Sequence, residues 1–210
     1  MTAPATTDKE PTAPPAESET KILFPGAVTL LIAVIASRVT EIERAGNGWL
    51  LFAASGTTPG QLCRAKFLAL GVPLAAVCVL WGLCVPMWGA LLGVPAPVPT
   101  GRIVAYTASV CVISLVILAL QLLISLASDN QLLAVGAGML GVLLSMIGAM
   151  APTWAQYLTP WTYYSLVVPM TFAGSDPVYL DAPFPGALVL AIAIVVDDAI
   201  VVVENVERLM

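Results

Sequence analysis

Apolar stretches long enough to cross a lipid bilayer occupy most of this chain. Crossing the hydrocarbon core takes an apolar run of about 18 residues or more, and such runs fall at 22–40, 67–93, 103–127, 132–150 and 186–203. Hydrophobic residues make up 59% of the 210 residues and charged residues only 10%, whereas soluble domains have about 45–50% and 25%. The sequence therefore predicts an all-α membrane protein with about five transmembrane helices and no sizeable soluble domain.

Composition divides the chain into three regions. Residues 1–21 are rich in Pro, Ala, Thr and acids, so they cannot bury enough apolar surface to offset the entropy lost on ordering. This tail does not fit a signal peptide, because its acids outnumber its bases. We predict a disordered acidic tail at 1–21, a membrane domain at 22–186 and a separate terminal transmembrane helix at 187–210.

The placement of Lys and Arg predicts how the chain crosses the membrane. Arg38 lies near the end of the first apolar stretch, and the loop after it carries Arg44, Arg64 and Lys66. Because cytoplasmic loops are enriched in Lys and Arg, we place this loop inside and the N-terminus outside. Alternation of the spans then puts residues 128–131, SDNQ, in a second cytoplasmic turn.

The segment 151–185 contains no Lys or Arg but is rich in aromatic residues: Trp154, Tyr157, Trp161, Tyr163, Tyr164, Phe172 and Tyr179. Such rings are enriched at headgroup depth. We predict an external interfacial hairpin over this segment.

Two features inside the spans concern packing. Small residues recur every four positions on the fourth span, at Ala137, Gly141, Ser145 and Ala149, which allows another helix to approach closely. This stripe predicts a helix-packing face, within the chain or in a dimer. Gln121 is a lone amide in the third span, and an unpaired polar group is costly in hydrocarbon. We predict an interhelical hydrogen bond, with a substrate contact as the alternative.

Residues 41–66, EIERAGNGWLLFAASGTTPGQLCRAK, form the longest polar interruption between apolar stretches. Their amphipathic character indicates a short helix at a membrane surface. The stretch resembles ABC-2 type permeases of the lantibiotic-immunity and antibiotic-export kind, and the matching residues are Glu41, Glu43, Gly48, Trp49, Leu50, Leu51, Ser55, Leu62, Ala65 and Lys66. The resemblance extends in layout over about residues 24–185, although the family's first helix has no counterpart here.

This resemblance implies the permease subunit of an exporter in the bacterial cytoplasmic membrane, with a second permease subunit and a cytoplasmic ATP-binding subunit as partners. The expected subunit-coupling residues are Glu41, Glu43, Gly48, Trp49, Arg64 and Lys66. The chain has no phosphate-binding G-x-x-x-x-G-K-[ST] motif, so ATP hydrolysis must come from the partner. His is absent and the four cysteines form no C-x-x-C pair, so we expect no metal site. We also expect no enzyme activity, no cofactor and no nucleic-acid partner.

The last residues follow a different pattern. Residues 188–210, LVLAIAIVVDDAIVVVENVERLM, resemble the fourth membrane helix of the resistance-nodulation-division (RND) efflux pumps, whose paired acids carry protons. Asp197 and Asp198 occupy these positions and are the proton-relay candidates. In that family a lysine from another helix accompanies the acids, whereas the last lysine here is Lys66. We therefore expect both aspartates to stay protonated. A proton-coupled efflux component and an inactive fusion or fragment remain as alternatives, and a natural fusion, a designed sequence or an assembly error would each explain such a composite.

Overall fold

The computed structural model describes residues 15–46, 48, 54–56, 59–91, 100–128, 130–167, 170–173 and 176–179. Four long helices form most of it: α1 (Pro15–Ala45), α2 (Pro59–Leu91), α3 (Thr100–Ala127) and α4 (Gln131–Met150). Three short elements follow: α5 (Thr153–Gln156), a 3-10 helix (Pro160–Thr162) and α6 (Tyr163–Leu166). Two antiparallel strands, β1 (Met170–Ala173) and β2 (Asp176–Tyr179), complete the described chain.

Among the described residues, three helical segments are long and apolar enough to cross a membrane: Gly60–Trp88, Thr100–Ala127 and Gln131–Gly148. They confirm the coarser part of the fold prediction, a helical chain with segments suited to span a membrane. Five spans stay a prediction. The stretch 22–40 lies in α1, where side chains are described only from Gly26 onward, and the stretch 186–203 lies outside the described residues.

Helix α1 begins at Pro15, inside the tail that composition predicts to be disordered. A proline at the first helical position loses no hydrogen bond and has a suitable φ. Once the apolar part of α1 is helical, each further residue adds one hydrogen bond without a new nucleation cost. The helix therefore continues outward from the apolar stretch as far as the proline. Residues 1–14 of the predicted tail lie outside the described residues.

The long helices alternate in direction. Helix α1 packs against α3 and α4, and α2 packs against α3. Gly26 of α1 faces Val142 of α4, while Ala33 faces Gly138, so the two helices are antiparallel. Gly71 faces Leu115 and Gly82 faces Thr107, so α2 and α3 are antiparallel as well. These two antiparallel pairs agree with the alternating directions that the topology prediction assumes, and the crossing of a membrane by each helix stays a prediction.

The alternation gives the bundle two chemically different ends. The end of α1, the start of α2, the end of α3 and the start of α4 lie together at what we call the loop end. This end carries Arg38, Glu41, Arg64 and Lys66, whereas Arg102 lies near the start of α3 at the opposite end. The opposite end also receives the aromatic segment that follows α4. The orientation of these ends relative to the cytoplasm stays a prediction.

Helix α3 is central. Each spanning helix contains an apolar stretch of 18 residues. In α3 half of this stretch is buried within the bundle, whereas the buried share is 18% in α2 and 22% in α4. Its buried face combines branched apolar residues such as Ile113, Ile117 and Leu122 with small polar ones such as Ser109 and Ser114. Ser109 Oγ donates to the Ala105 carbonyl at 2.8 Å and Ser114 Oγ to the Val110 carbonyl at 2.7 Å. Bonds within the helix thus satisfy hydroxyl hydrogens that would be costly to leave unpaired in an apolar interior.

Candidate functional site

A cavity of about 190 Å³, lined by both polar and apolar groups, lies at the loop end, between α1, α3 and α4. We call it the loop-end cavity, and its lining residues are Ser37, Thr40, Glu41, Ala45, Ser125, Ser128, Asn130, Gln131 and Ala134. The structure thus brings Glu41, from the stretch that resembles the permeases, next to the 128–131 turn. Sequence reasoning placed both on the cytoplasmic side but did not predict that they share a cavity.

Local helix geometry explains how the lining forms. Ser37, Thr40 and Glu41 are spaced three and four residues apart, which puts them on one face of α1. Asn130 is the N-cap of α4, and its Oδ1 accepts a hydrogen bond from the Leu132 amide at 2.9 Å. This cap stabilises the start of α4. The cavity therefore lies where two helices end and a capped third begins.

Some of the hydroxyl groups that line the cavity already make hydrogen bonds within the chain. Thr40 Oγ1 donates to the Ala36 carbonyl at 3.0 Å. Ser128 Oγ donates to the Asn130 carbonyl and accepts from the Asn130 amide, both at 3.2 Å. Ser37 is only 3% exposed, and its Oγ has no hydrogen-bond partner within the described part of the chain. A buried hydroxyl in this state loses hydrogen bonds that it would make with water.

Glu41 makes an ion pair with Arg38, since Arg38 Nη1 donates to Glu41 Oε2 at 2.9 Å. The side chains of Arg38 and Glu41 are 65% and 41% exposed. Exposed pairs of this kind contribute only about 0–1 kcal/mol. Arg38 therefore holds the carboxylate weakly, and the carboxylate stays available to other donors.

The other predicted subunit-coupling residues are less fully described. The side chain of Glu43 and all of Trp49 lie outside the described residues, and Gly48 is described as helical and half-buried. Arg64 is exposed on α2, whereas Lys66, two residues later, is buried at 5% exposure. Of this group, Glu41 and Arg64 therefore present charged groups to solvent at the loop end.

The stripe of small residues on α4 contacts the chain's own aromatic segment. Trp161 lies directly over Gly141. Ser145 Oγ lies 3.0 Å from the carbonyl oxygens of both Gly141 and Trp161. Ala137 is half-buried, and the side chain of Ala149 lies outside the described residues. At Gly141 and Ser145 the stripe is therefore covered from within the chain, which leaves these two positions closed to a second subunit.

Gln121 is buried at 1% exposure and its Nε2 donates to the carbonyl of Ala134 on α4. The predicted interhelical hydrogen bond is confirmed. Because Ala134 also lines the loop-end cavity, this bond holds α4 against α3 at the cavity wall.

The aromatic segment differs in part from its prediction. Trp154 is 70% exposed, as expected of a residue at a membrane interface, but Tyr163 and Tyr164 are buried. Tyr164 Oη lies 2.9 Å from Ser114 Oγ. Since the Ser114 hydrogen goes to Val110, Tyr164 is the donor. Burial raises the pKa of Tyr164, so the phenol stays neutral and keeps this hydrogen at physiological pH. Aromatic composition alone did not distinguish these rings from interfacial ones.

Asp197 and Asp198 lie outside the described residues, so their role stays a prediction. Within the described ranges, no group of three or more His, Cys, Asp or Glu could hold a metal ion. The four cysteines, all of which are described, are free thiols. No protein-family model matches the chain, and neither a curated protein nor a solved structure shows significant similarity to it.

Proposed function

We propose that this chain is the permease subunit of an ABC-2 type exporter in the bacterial cytoplasmic membrane. In this proposal a separate cytoplasmic subunit binds and hydrolyses ATP, and a second permease subunit completes the transport path. The observation that carries the proposal is the gathering of charged and polar groups at the loop end. Glu41, Arg64 and the polar 128–131 turn come from three separate parts of the sequence, yet they lie at one end of the bundle.

The apolar sides of the helices favour docking of a soluble subunit at the loop end instead of along the bundle. Large apolar side chains such as Leu80, Leu83, Leu143 and Ile147 are exposed along α2 and α4. In a membrane these surfaces face lipid or another membrane helix. A soluble subunit therefore finds its polar contacts at the ends of the helices, and the loop end offers both signs of charge.

The proton-coupled alternative depends on Asp197 and Asp198. The three described spans, Gly60–Trp88, Thr100–Ala127 and Gln131–Gly148, contain no Asp or Glu. They therefore supply no carboxylate that could carry protons across the membrane. A relay in this chain would rest on the aspartate pair alone.

Charge reversal at the loop end tests the proposed docking. We expect the double variant Glu41→Lys and Glu43→Lys to weaken co-purification with the proposed ATP-binding subunit by about tenfold or more, because like charges placed against each other across an interface are costly. Membrane insertion should persist, since added positive charge agrees with a cytoplasmic location. The matched control is Arg102→Glu at the opposite end, which should co-purify normally. Equal co-purification of all three proteins would contradict docking at the loop end.

Energy coupling provides the second test. In membrane vesicles, we expect transport to require ATP and to persist when the proton gradient is collapsed. The variant with Asp197→Asn and Asp198→Asn keeps side-chain shape but cannot titrate, so its ATP-driven transport should equal that of the parent chain. Gradient-driven transport without ATP that disappears in this variant would instead establish the proton-coupled alternative.

A further inference from the structure

Two cysteines from different helices face each other where α2 packs against α3. Gly82 of α2 lies against Thr107 of α3, and the two helices are antiparallel. About one helical turn back along α2 from Gly82 is Cys78, and about one turn forward along α3 from Thr107 is Cys111. The register of the two helices therefore places these two thiols opposite each other.

The side-chain contacts agree with this register. The Cys78 thiol lies within hydrogen-bonding reach of the Cys111 thiol. Cys78 is buried in the apolar core cluster of the bundle, and the half-buried Cys111 packs against the same cluster. Both are free thiols. Each sulfur can therefore act as a ligand, and the two sulfurs can share one ligand between them.

Close packing of the helices limits how far the two thiols can separate. A Cβ at Gly82 would overlap the Thr107 side chain, so only a glycine allows the two helices to approach as they do. A cysteine side chain reaches its sulfur through one rotatable angle with three staggered positions. The fold therefore holds the pair together before any ligand arrives, and a ligand bound by one sulfur meets the second at high effective concentration.

The chemistry of two thiols determines which class of ligand fits. Thiolate sulfur is a soft ligand that selects soft metal ions, and a coordinating thiol gives up its proton. Two thiolates neutralise the charge of one divalent ion. Both cysteines lie well inside the apolar segments Gly60–Trp88 and Thr100–Ala127, where a complex with net charge would be costly. The pair therefore favours a soft divalent ion.

Coordination number narrows the choice of ion further. Structural zinc takes four ligands, and the described part of the chain contains no group of three or more His, Cys, Asp or Glu that could hold a metal ion. Mercuric ion is soft and divalent, and two sulfur ligands in line satisfy it. A monovalent ion such as cuprous copper would leave a net negative charge on the same pair. The expectation of no metal site rested partly on C-x-x-C spacing, which does not reveal a pair on two helices.

We propose that Cys78 and Cys111 bind one mercuric ion between α2 and α3. Reaction with mercuric chloride forms two S–Hg bonds and breaks two S–H and two Hg–Cl bonds. Two protons and two chloride ions leave, and no oxidation state changes. The neutral product joins the two helices. The site needs neither ATP nor a partner subunit, so this inference goes beyond the proposed function and can fail without affecting it.

The test compares two full-length variants that have the same number of thiols. The first, Cys63→Ala with Cys84→Ala, keeps the proposed pair. The second, Cys78→Ala with Cys111→Ala, keeps Cys63 and Cys84, which both lie on α2 and are about 30 Å apart at about 1.5 Å per residue. Each variant is purified in detergent, reduced, freed of reductant and diluted to monomers, and then receives one equivalent of mercuric chloride.

Competition with a monothiol distinguishes a bridged ion from one held by a single sulfur. We expect the first variant to retain one mercury per chain, measured by intact-mass spectrometry, at a β-mercaptoethanol concentration about a hundredfold higher than the one that strips the second variant, because two linked ligands act together. Mercury should also raise the midpoint of thermal unfolding of the first variant alone, since a ligand that binds the folded state stabilises it.

Three results would overturn the proposal. Loss of mercury from both variants at the same monothiol concentration would show that the pair does not bridge the ion. A mass lower by two hydrogens and without mercury in the first variant would show a disulfide in place of the metal. Should the second variant fail to fold, Cys111→Ser added to the first variant decides the question, because one remaining thiol cannot bridge. Unchanged retention of mercury in that variant would refute the site.

Discussion

Replacing Gly138 with alanine should destabilise the folded chain by about 1–3 kcal/mol, the usual effect of overpacking a close contact. Gly138 is buried on α4 directly against Ala33 of α1, and a Cβ at this position would overlap the Ala33 methyl group. The obstacle is a methyl fixed to the backbone, so no side-chain rotation relieves it. The two helices must separate, and the measurement is the midpoint of thermal unfolding in detergent.

Helix α4 offers a matched control for this substitution. Gly136 lies two positions away, and a Cβ built there meets nothing within 4 Å. Gly136→Ala should therefore leave stability unchanged or raise it by up to about 1 kcal/mol, since alanine favours helix over glycine. Equal effects of alanine at both positions would contradict the close packing of α1 on α4.

A double variant tests the contact itself. Combining Ala33→Gly with Gly138→Ala moves the methyl group across the interface and restores the total volume. We expect the double variant to be more stable than the sum of the two single effects predicts, by about 0.5–3 kcal/mol, as is typical of residues in contact. Strict additivity would indicate that Ala33 and Gly138 do not touch.

Reporters fused at opposite ends of the bundle should give opposite, all-or-none signals. A reporter after Gly56, between α1 and α2, should indicate the cytoplasm, and one after Ser175, between β1 and β2, should indicate the exterior. The physical reason is the concentration of Arg38, Arg44, Arg64 and Lys66 near the first of these sites, because cytoplasmic loops are rich in Lys and Arg.

A third reporter separates the orientation from the fold. Fused after Ser128, it should give the same signal as the Gly56 fusion, since both sites lie at the loop end. Exchanged signals at Gly56 and Ser175 would reverse the orientation but leave the bundle intact. Different signals at Gly56 and Ser128 would contradict the alternation of the helices.

The existence of the spans could be read from the sequence, but their packing could not. Apolar length predicts that α3 and α4 can span a membrane, and the polar 128–131 turn between them predicts where one ends and the other begins. The structure adds that Asn130, within this turn, caps α4. The pattern of apolar side chains does not show which face of α3 contacts which neighbouring helix. Lipid and the protein interior are similarly apolar, so the same residue types occur on both faces. The polar residue Gln121 was an exception, since its amide required a partner.

The candidate site was predictable only in its parts. The stretch around Glu41 and the 128–131 turn each stood out as polar, and the topology placed both on one side of the membrane. Their meeting in one cavity depends on the register of α1 against α4, which the contact between Ala33 and Gly138 sets. Tyr164 and Ser114 are likewise 50 residues apart, and no local pattern connects them.

The hydroxyl groups of the long helices indicate an order of assembly. Thr40, Ser109, Ser114 and Ser145 each bond a carbonyl four residues earlier in their own helix, so each helix can enter the bilayer before it meets a neighbour. Gln121 needs a carbonyl on α4, only 13 residues away, which favours early pairing of α3 with α4. The Tyr164 phenol reaches Ser114 only after both helices and the aromatic segment are in place. The contact between Tyr164 and Ser114 would then mark a late step, in which the segment after α4 closes over a helical hairpin that has already formed.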